Sequence, residues 1–171
     1  MCRPPPTGEK DEHMATGMTD LNTIIDTVEG NARTVLQYSR VVEQLVQKAK
    51  EPGFDAATWP PLAELVDTEA FVRVGNFKEV QNWQQYTEFL TNWAGSAEWA
   101  CTFKRITEHD AVVFLELEER SEVGAFSSVV NSLSVYEFSD AGKITHIDVY
   151  LQMELPSPEL LAGYDGVDIA R

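Results

Sequence analysis

Two β-rich runs near the end of the chain constrain its fold most. Residues 128–138 (Ser-Val-Val-Asn-Ser-Leu-Ser-Val-Tyr-Glu-Phe) and 143–153 (Lys-Ile-Thr-His-Ile-Asp-Val-Tyr-Leu-Gln-Met) are crowded with β-branched and aromatic residues, and only Ser139-Asp140-Ala141-Gly142 separates them. A connection of that length and chemistry folds two strands back on each other. A chain carrying it has an antiparallel sheet at its C-terminal end and cannot be a helical bundle. Alternating runs near 97–107 and 111–120, parted by Glu108-His109-Asp110, make a second hairpin.

Ahead of the hairpins the apolar spacing lengthens from two to three and four. Leu21, Ile24, Ile25, Val28, Ala32, Val35, Leu36, Val42, Leu45, Val46 and Ala49 form one helical stripe. Asp20 suits its N-cap, and Glu51-Pro52-Gly53 ends it. Gly30-Asn31 interrupts the stripe, so the part before Gly30 reads either as the start of one rod or as a separate helix. Residues 58–66 read as a short helix with Thr58 as cap and prolines in its first turn. Next come a strand over 69–74, a loop over 75–80 and a helix over 82–93. This order, helices first with one strand between them and then four antiparallel strands, predicts an α+β fold. Helices on the concave face of a curved antiparallel sheet would enclose a conical cavity.

Length allows one sizeable core, placed at residues 19–155 between a disordered tail over 1–18 and a C-terminal tail over 156–171. Residues 1–18 hold Arg3-Pro4-Pro5-Pro6 and a charged run, without the apolar segment of a secretory signal. A net charge of −15 makes a nucleic-acid or anionic-membrane partner unexpected, because those surfaces attract basic clusters. No apolar run approaches the roughly 20 residues of a bilayer span. Cys2 and Cys101 cannot build a disulfide framework or a thiolate metal site. The expectation is a cytoplasmic protein with no metal and no cofactor.

The aromatic-Glu-Phe strand end, the Asp-Ala-Gly turn and the strand opening Lys-Ile, all following helices, resemble the closing hairpin of the NTF2-like superfamily. That superfamily includes ketosteroid isomerases and SnoaL-like polyketide cyclases, and the resemblance covers residues 32–154. It implies a pocketed cone, a small apolar ligand and a homodimer through the outer sheet face. The isomerase chemistry does not transfer: the general-base position falls at Val74, within a residue or so, and the acid that hydrogen-bonds the enolate falls at Ser134. An apolar side chain cannot take a proton, and a hydroxyl is a weaker donor than a raised-pKa acid. The carboxylate of the epoxide-hydrolase branch falls at Gln152. The cyclases' His-x-Asp is present as His146-Ile147-Asp148, one residue early, which in a strand is a change of face. A β-bulge could restore it.

Two function classes follow. One is a small-molecule-binding domain of this superfamily with an apolar pocket and no assigned reaction. The other is a SnoaL-like enzyme of the cyclase, isomerase, dehydratase or hydrolase type, doing cofactor-free acid/base chemistry with His146 and Asp148 as the dyad. Such a pair is more often a solvated or dimer-facing polar pair than a catalytic one. Candidate ligand-binding residues are Tyr38, Trp59, Trp83, Tyr86, Ser132, Ser134 and Val149; small polar residues among large apolar ones leave room for a cavity. The acidic run Glu116, Glu118, Glu119 and Glu122 reads as a solvated face.

Overall fold

The computed structural model describes residues 20–54, 59–124 and 126–153. The two expected tails and the Thr58 cap lie outside the described residues. The helical stripe breaks where glycine interrupts it. Helix α1 (Leu21–Ile24), capped by Asp20 through a 2.7 Å bond from the Asn22 N–H, runs into a 3-10 turn (Ile25–Thr27). Helix α2 (Gly30–Lys48) starts afresh at Gly30, whose φ of +65° suits glycine. No local side chain caps α2. Instead the Glu108 carboxylate reaches across from the sheet and accepts the Asn31 and Ala32 N–H groups at 3.3 and 2.8 Å, supplying from afar what an N-cap supplies locally.

Helix α3 (Pro60–Ala63) is short, with its prolines in the first turn. Strands β1 (Val72–Val74) and β2 (Val80–Asn82) form a small hairpin, and helix α4 (Trp83–Ala94) follows directly. A capping box opens α4: Asn82 Oδ1 accepts from the Gln85 N–H at 2.9 Å, and Gln85 Oε1 from the Asn82 N–H at 3.0 Å. The long strands are β3 (Ala97–His109), β4 (Val112–Val123), β5 (Phe126–Phe138) and β6 (Ile144–Gln152).

The strand order is β2-β1-β6-β5-β4-β3. The expected antiparallel sheet is mixed, because β1 joins β6 in parallel, with Arg73 level with Ile147 and Val74 level with Asp148. A strand of three residues has no period from which its pairing could be read. The region expected as a loop over 75–80 likewise ends in β2.

Two bulges shape the sheet. In β3, Lys104 is the extra residue between Phe103, opposite Leu117, and Arg105, opposite Glu116. In β6, Thr145 is the extra residue between Ile144, opposite Phe138, and His146, opposite Glu137. The second bulge lets Ile144 and Ile147, three positions apart, both turn inward; their exposures are 0% and 2%. The core lies between α2 and α4 on one side and the concave sheet face on the other, around Val35, Leu36, Val46, Val113, Leu115 and Ile144.

Candidate functional site

The helices leave part of the concave face uncovered, and a cavity of about 440 Å³ remains there. Ile147, Val149 and Leu151 of β6 and Val130 of β5 form its floor, with Val42 of α2 and Leu90 of α4 above. Phe77, Phe89 and Met153 also line it, with exposures of 81%, 43% and 48%. Those side chains stand on its solvent side. The volume lies within the range of small-molecule sites, and at interior packing density it holds roughly 15–20 non-hydrogen atoms.

Three phenols meet at its inner wall. Tyr38 points inward from α2, one turn beyond Val35, and Tyr86 from the first turns of α4; their hydroxyl oxygens are 2.6 Å apart. Tyr136 of β5 packs edge-on to Tyr38, with ring centroids 5.8 Å apart. Burial raises the pKa of all three. For Tyr38 the neighbouring phenols add to the rise; for Tyr86 the charge of Arg73 opposes it; for Tyr136 the Ser39 and Ser134 hydroxyls do. All three therefore remain protonated at neutral pH and act as donors, not bases. In the Tyr38–Tyr86 pair one hydroxyl donates to the other, so the acceptor's own proton is left for a ligand.

Two charged side chains complete the wall. Arg73, the inward-facing residue of β1, lies over the Tyr86 and Phe89 rings at 5.3 and 5.6 Å from their centroids. Its Nη1 donates to Gln81 Oε1 at 3.0 Å and pairs with Glu79 Oε1 at 3.3 Å. Desolvation would raise the Glu79 pKa, but its bonds from its own and the Phe77 backbone N–H and from Arg73 outweigh that and lower it. Glu119 of β4, half-buried, accepts the Trp99 indole N–H at 2.9 Å.

Of the residues expected to bind a ligand, Tyr38, Tyr86, Ser134 and Val149 line the cavity. Trp83 stands behind it, packing edge-on to Phe71 at 5.5 Å and to Tyr86 at 6.4 Å. Trp59 is a core residue instead: it is 2% exposed, lies edge-on to Phe54, and donates its indole N–H to Thr91 Oγ1 at 2.8 Å. Ser132 is on the concave side but is flanked across the sheet by Leu117 and Leu151, whose larger side chains line the cavity in its stead. Its buried Oγ has no partner among the described residues.

His146 and Asp148 bond to each other, Nε2 to Oδ1, at 3.0 Å. They occupy the convex face, because Ile147, Val149 and Leu151 take the cavity side. A bulge that could restore the cyclase register exists, but it lies ahead of His146 and keeps the dyad outside. Neither His146 nor Asp148 is among the residues that line this cavity. Val74 also faces outward beside Asp148, and the position facing inward on β1 is Arg73. Arg73, Glu119 and Trp99 join the site without having been expected there. Glu119 is legible in the pattern: it continues the alternation Val113, Leu115, Leu117, all buried, onto the same face.

No protein-family model and no curated protein sequence matches the chain. Solved structures do. An NTF2-like protein of unknown function from Cytophaga hutchinsonii is 12% identical, with 79% of this chain and 97% of that one covered and a TM-score of 0.51. The epoxide hydrolase/cyclase-like enzyme SalBIII of pyran ring formation in salinomycin is 15% identical over 72% of this chain and 91% of its own, with a TM-score of 0.55. Bal32a, from a soil-derived mobile gene cassette, is 12% identical over 71% and 92%, with a TM-score of 0.54. At such identities the likeness is one of architecture: α2 and α4 over a curved six-stranded sheet make the NTF2-like fold.

Proposed function

We propose that the chain is a small-molecule-binding domain whose ligand is an apolar, compact molecule held in the cavity by burial and oriented by the Tyr38–Tyr86 hydroxyls. The observation that carries this reading is the cavity itself: about 440 Å³, with an apolar floor and a buried pair of protonated phenols on one wall. Buried donors are few there, as befits a site that selects by shape and one or two polar contacts. No reaction is assigned, and the dyad alternative lacks access to the ligand.

The test is binding of a neutral fluorescent probe, phenylnaphthylamine, to the full chain. Val149→Trp fills the floor and is expected to weaken binding by about 100-fold, with stability nearly unchanged because the new ring enters existing space. Asp148→Asn, one residue away on the opposite face, should leave binding within about twofold. No probe binding by the unaltered protein, or equal losses in both variants, would overturn the reading.

A homodimer through the convex sheet face belongs to the same proposal. Phe114, Val129 and Tyr150 stand exposed on the outward positions of β4, β5 and β6, at 39%, 55% and 56%, and such a face is commonly covered by a second copy. Sedimentation at micromolar concentration is expected to show dimer; monomer alone would count against it. A cytoplasmic setting is part of the reading too, since it keeps the free Cys101 thiol reduced.

A further inference from the structure

The cavity is electrically lopsided. Its one cationic wall residue among the described residues, Arg73, belongs to β1, while its one carboxylate, Glu119, belongs to β4, three strand positions away. At sheet spacing those strands are roughly 14 Å apart.

Arg73 is only partly satisfied. Its side chain is 12% exposed, a costly place for a charge. Both of its hydrogen bonds to side chains use Nη1; among the described residues Nη2 and Nε have no hydrogen-bond partner. The contact to Glu79 is 3.3 Å, longer than the roughly 2.7–2.9 Å of a strong charge-assisted bond, and Glu79, 40% exposed, has water to share its charge. The Tyr86 and Phe89 rings hold the guanidinium in place without using its N–H groups. A planar cation fixed by aromatic faces, with two nitrogens to spare, is suited to a carboxylate. At the other end, Glu119 keeps one oxygen for the Trp99 indole and turns a like charge on any second acid group.

We propose that the ligand is an apolar monocarboxylate, its acid group received by Arg73 and its hydrocarbon body lying on Val149 and Leu151 toward Glu119. This rests on the small-molecule reading above and narrows it. The hydroxyl of the Tyr38–Tyr86 pair that keeps a free proton is a further donor on the same wall. A diacid of the same shape is rejected because its second charge meets Glu119, and a neutral alcohol of the same shape binds without the charged contact.

Calorimetry of the full chain with three rigid probes tests this: adamantanemethanol, adamantanecarboxylate and adamantanedicarboxylate. The monocarboxylate is expected to bind at least about tenfold more tightly than the alcohol, the worth of one hydrogen-bonded charge, and more tightly than the dicarboxylate. Arg73→Gln should bring the acid down to the alcohol's affinity while the alcohol's stays unchanged, which also shows that the variant's cavity is intact. Should Arg73→Gln fail to fold, Arg73→Lys serves, with a reduced acid preference expected because the planar fork is lost. Alcohol bound as tightly as acid in the unaltered protein, or an acid preference that survives Arg73→Gln, would overturn the proposal and leave the small-molecule reading standing. Failure of all three probes to bind would overturn both.

Discussion

Above pH 10, the ordinary phenol value, the protein is expected to lose up to about 4 kcal/mol of stability per pH unit and to unfold cooperatively. The cause is the buried wall of the cavity. Tyr38, Tyr86 and Tyr136 all have raised pKa values in the folded chain, chiefly through burial. Below pH 10 folded and unfolded chains both hold these three protons, so the phenols add no pH dependence. Above it the unfolded chain releases them while the folded chain does not. Each phenol then favours unfolding by about 1.4 kcal/mol per unit until its folded pKa is reached. Burial raises the Cys101 thiol as well, from an ordinary value of 9, and adds the slope of one proton from there. Against a typical total of about 5–15 kcal/mol, one to a few pH units suffice. Tyrosinate absorbance and far-ultraviolet circular dichroism should change together, and Tyr136→Phe should remove about a third of the phenol slope. Ionisation of all the tyrosines with the helical signal intact would show that the three hydroxyls are open to water, and the donor role given to them would fall.

Two of those phenols are legible in the sequence. Tyr38 and Tyr86 each sit on the apolar stripe of a helix while carrying a polar tip, and both hairpins are legible because strands of nine to thirteen residues display enough alternation to set their faces. The helix expected over 82–93 is found as α4, with Asn82 just ahead of it as its cap. What the sequence hides depends on contacts remote along the chain. The parallel pairing of β1 with β6 joins two segments about seventy residues apart, and the three residues of β1 offer no pattern to announce it. Arg73 is hidden with it, since a lone arginine between two valines has no face until the strand has a partner. Glu108 looks like turn polarity, yet its carboxylate caps the first turn of a helix, 77 residues earlier at Asn31. Glu119 disappears inside an acidic run when charge is weighed before parity. Trp59 fails the other way, as an aromatic ring that packs and hydrogen-bonds within the core.

Parity also separates two deletions of equal size in β6. Removing Asp148 is expected to cost about 4 kcal/mol or more, whereas removing Thr145 should cost about 1 kcal/mol. Thr145 is the extra residue of a bulge, so its loss leaves Ile144 opposite Phe138 and His146 opposite Glu137 in plain alternation, with both isoleucines still inward. The loss falls on local twist and on the Thr145 Oγ1 bond to the Glu137 carbonyl. Asp148 lies within the regular part of the strand. Without it, keeping Val149 and Leu151 inward turns Ile147, now 2% exposed, out to solvent and pulls His146 toward the core. Keeping Ile147 inward exposes Val149 and Leu151 instead and dismantles the cavity floor. Either route exposes large aliphatic side chains worth about 1.5–3 kcal/mol each, and the first also buries an imidazole. Asp148→Ala, which removes the carboxylate and its 3.0 Å bond to His146 without changing length, should cost about 1 kcal/mol or less, because the pair is partly open to solvent. Denaturant unfolding of the three variants decides the matter. Equal losses on deleting Thr145 and Asp148 would mean that the bulge does not set the register, and with it the placement of His146 and Asp148 on the convex face would have to be abandoned.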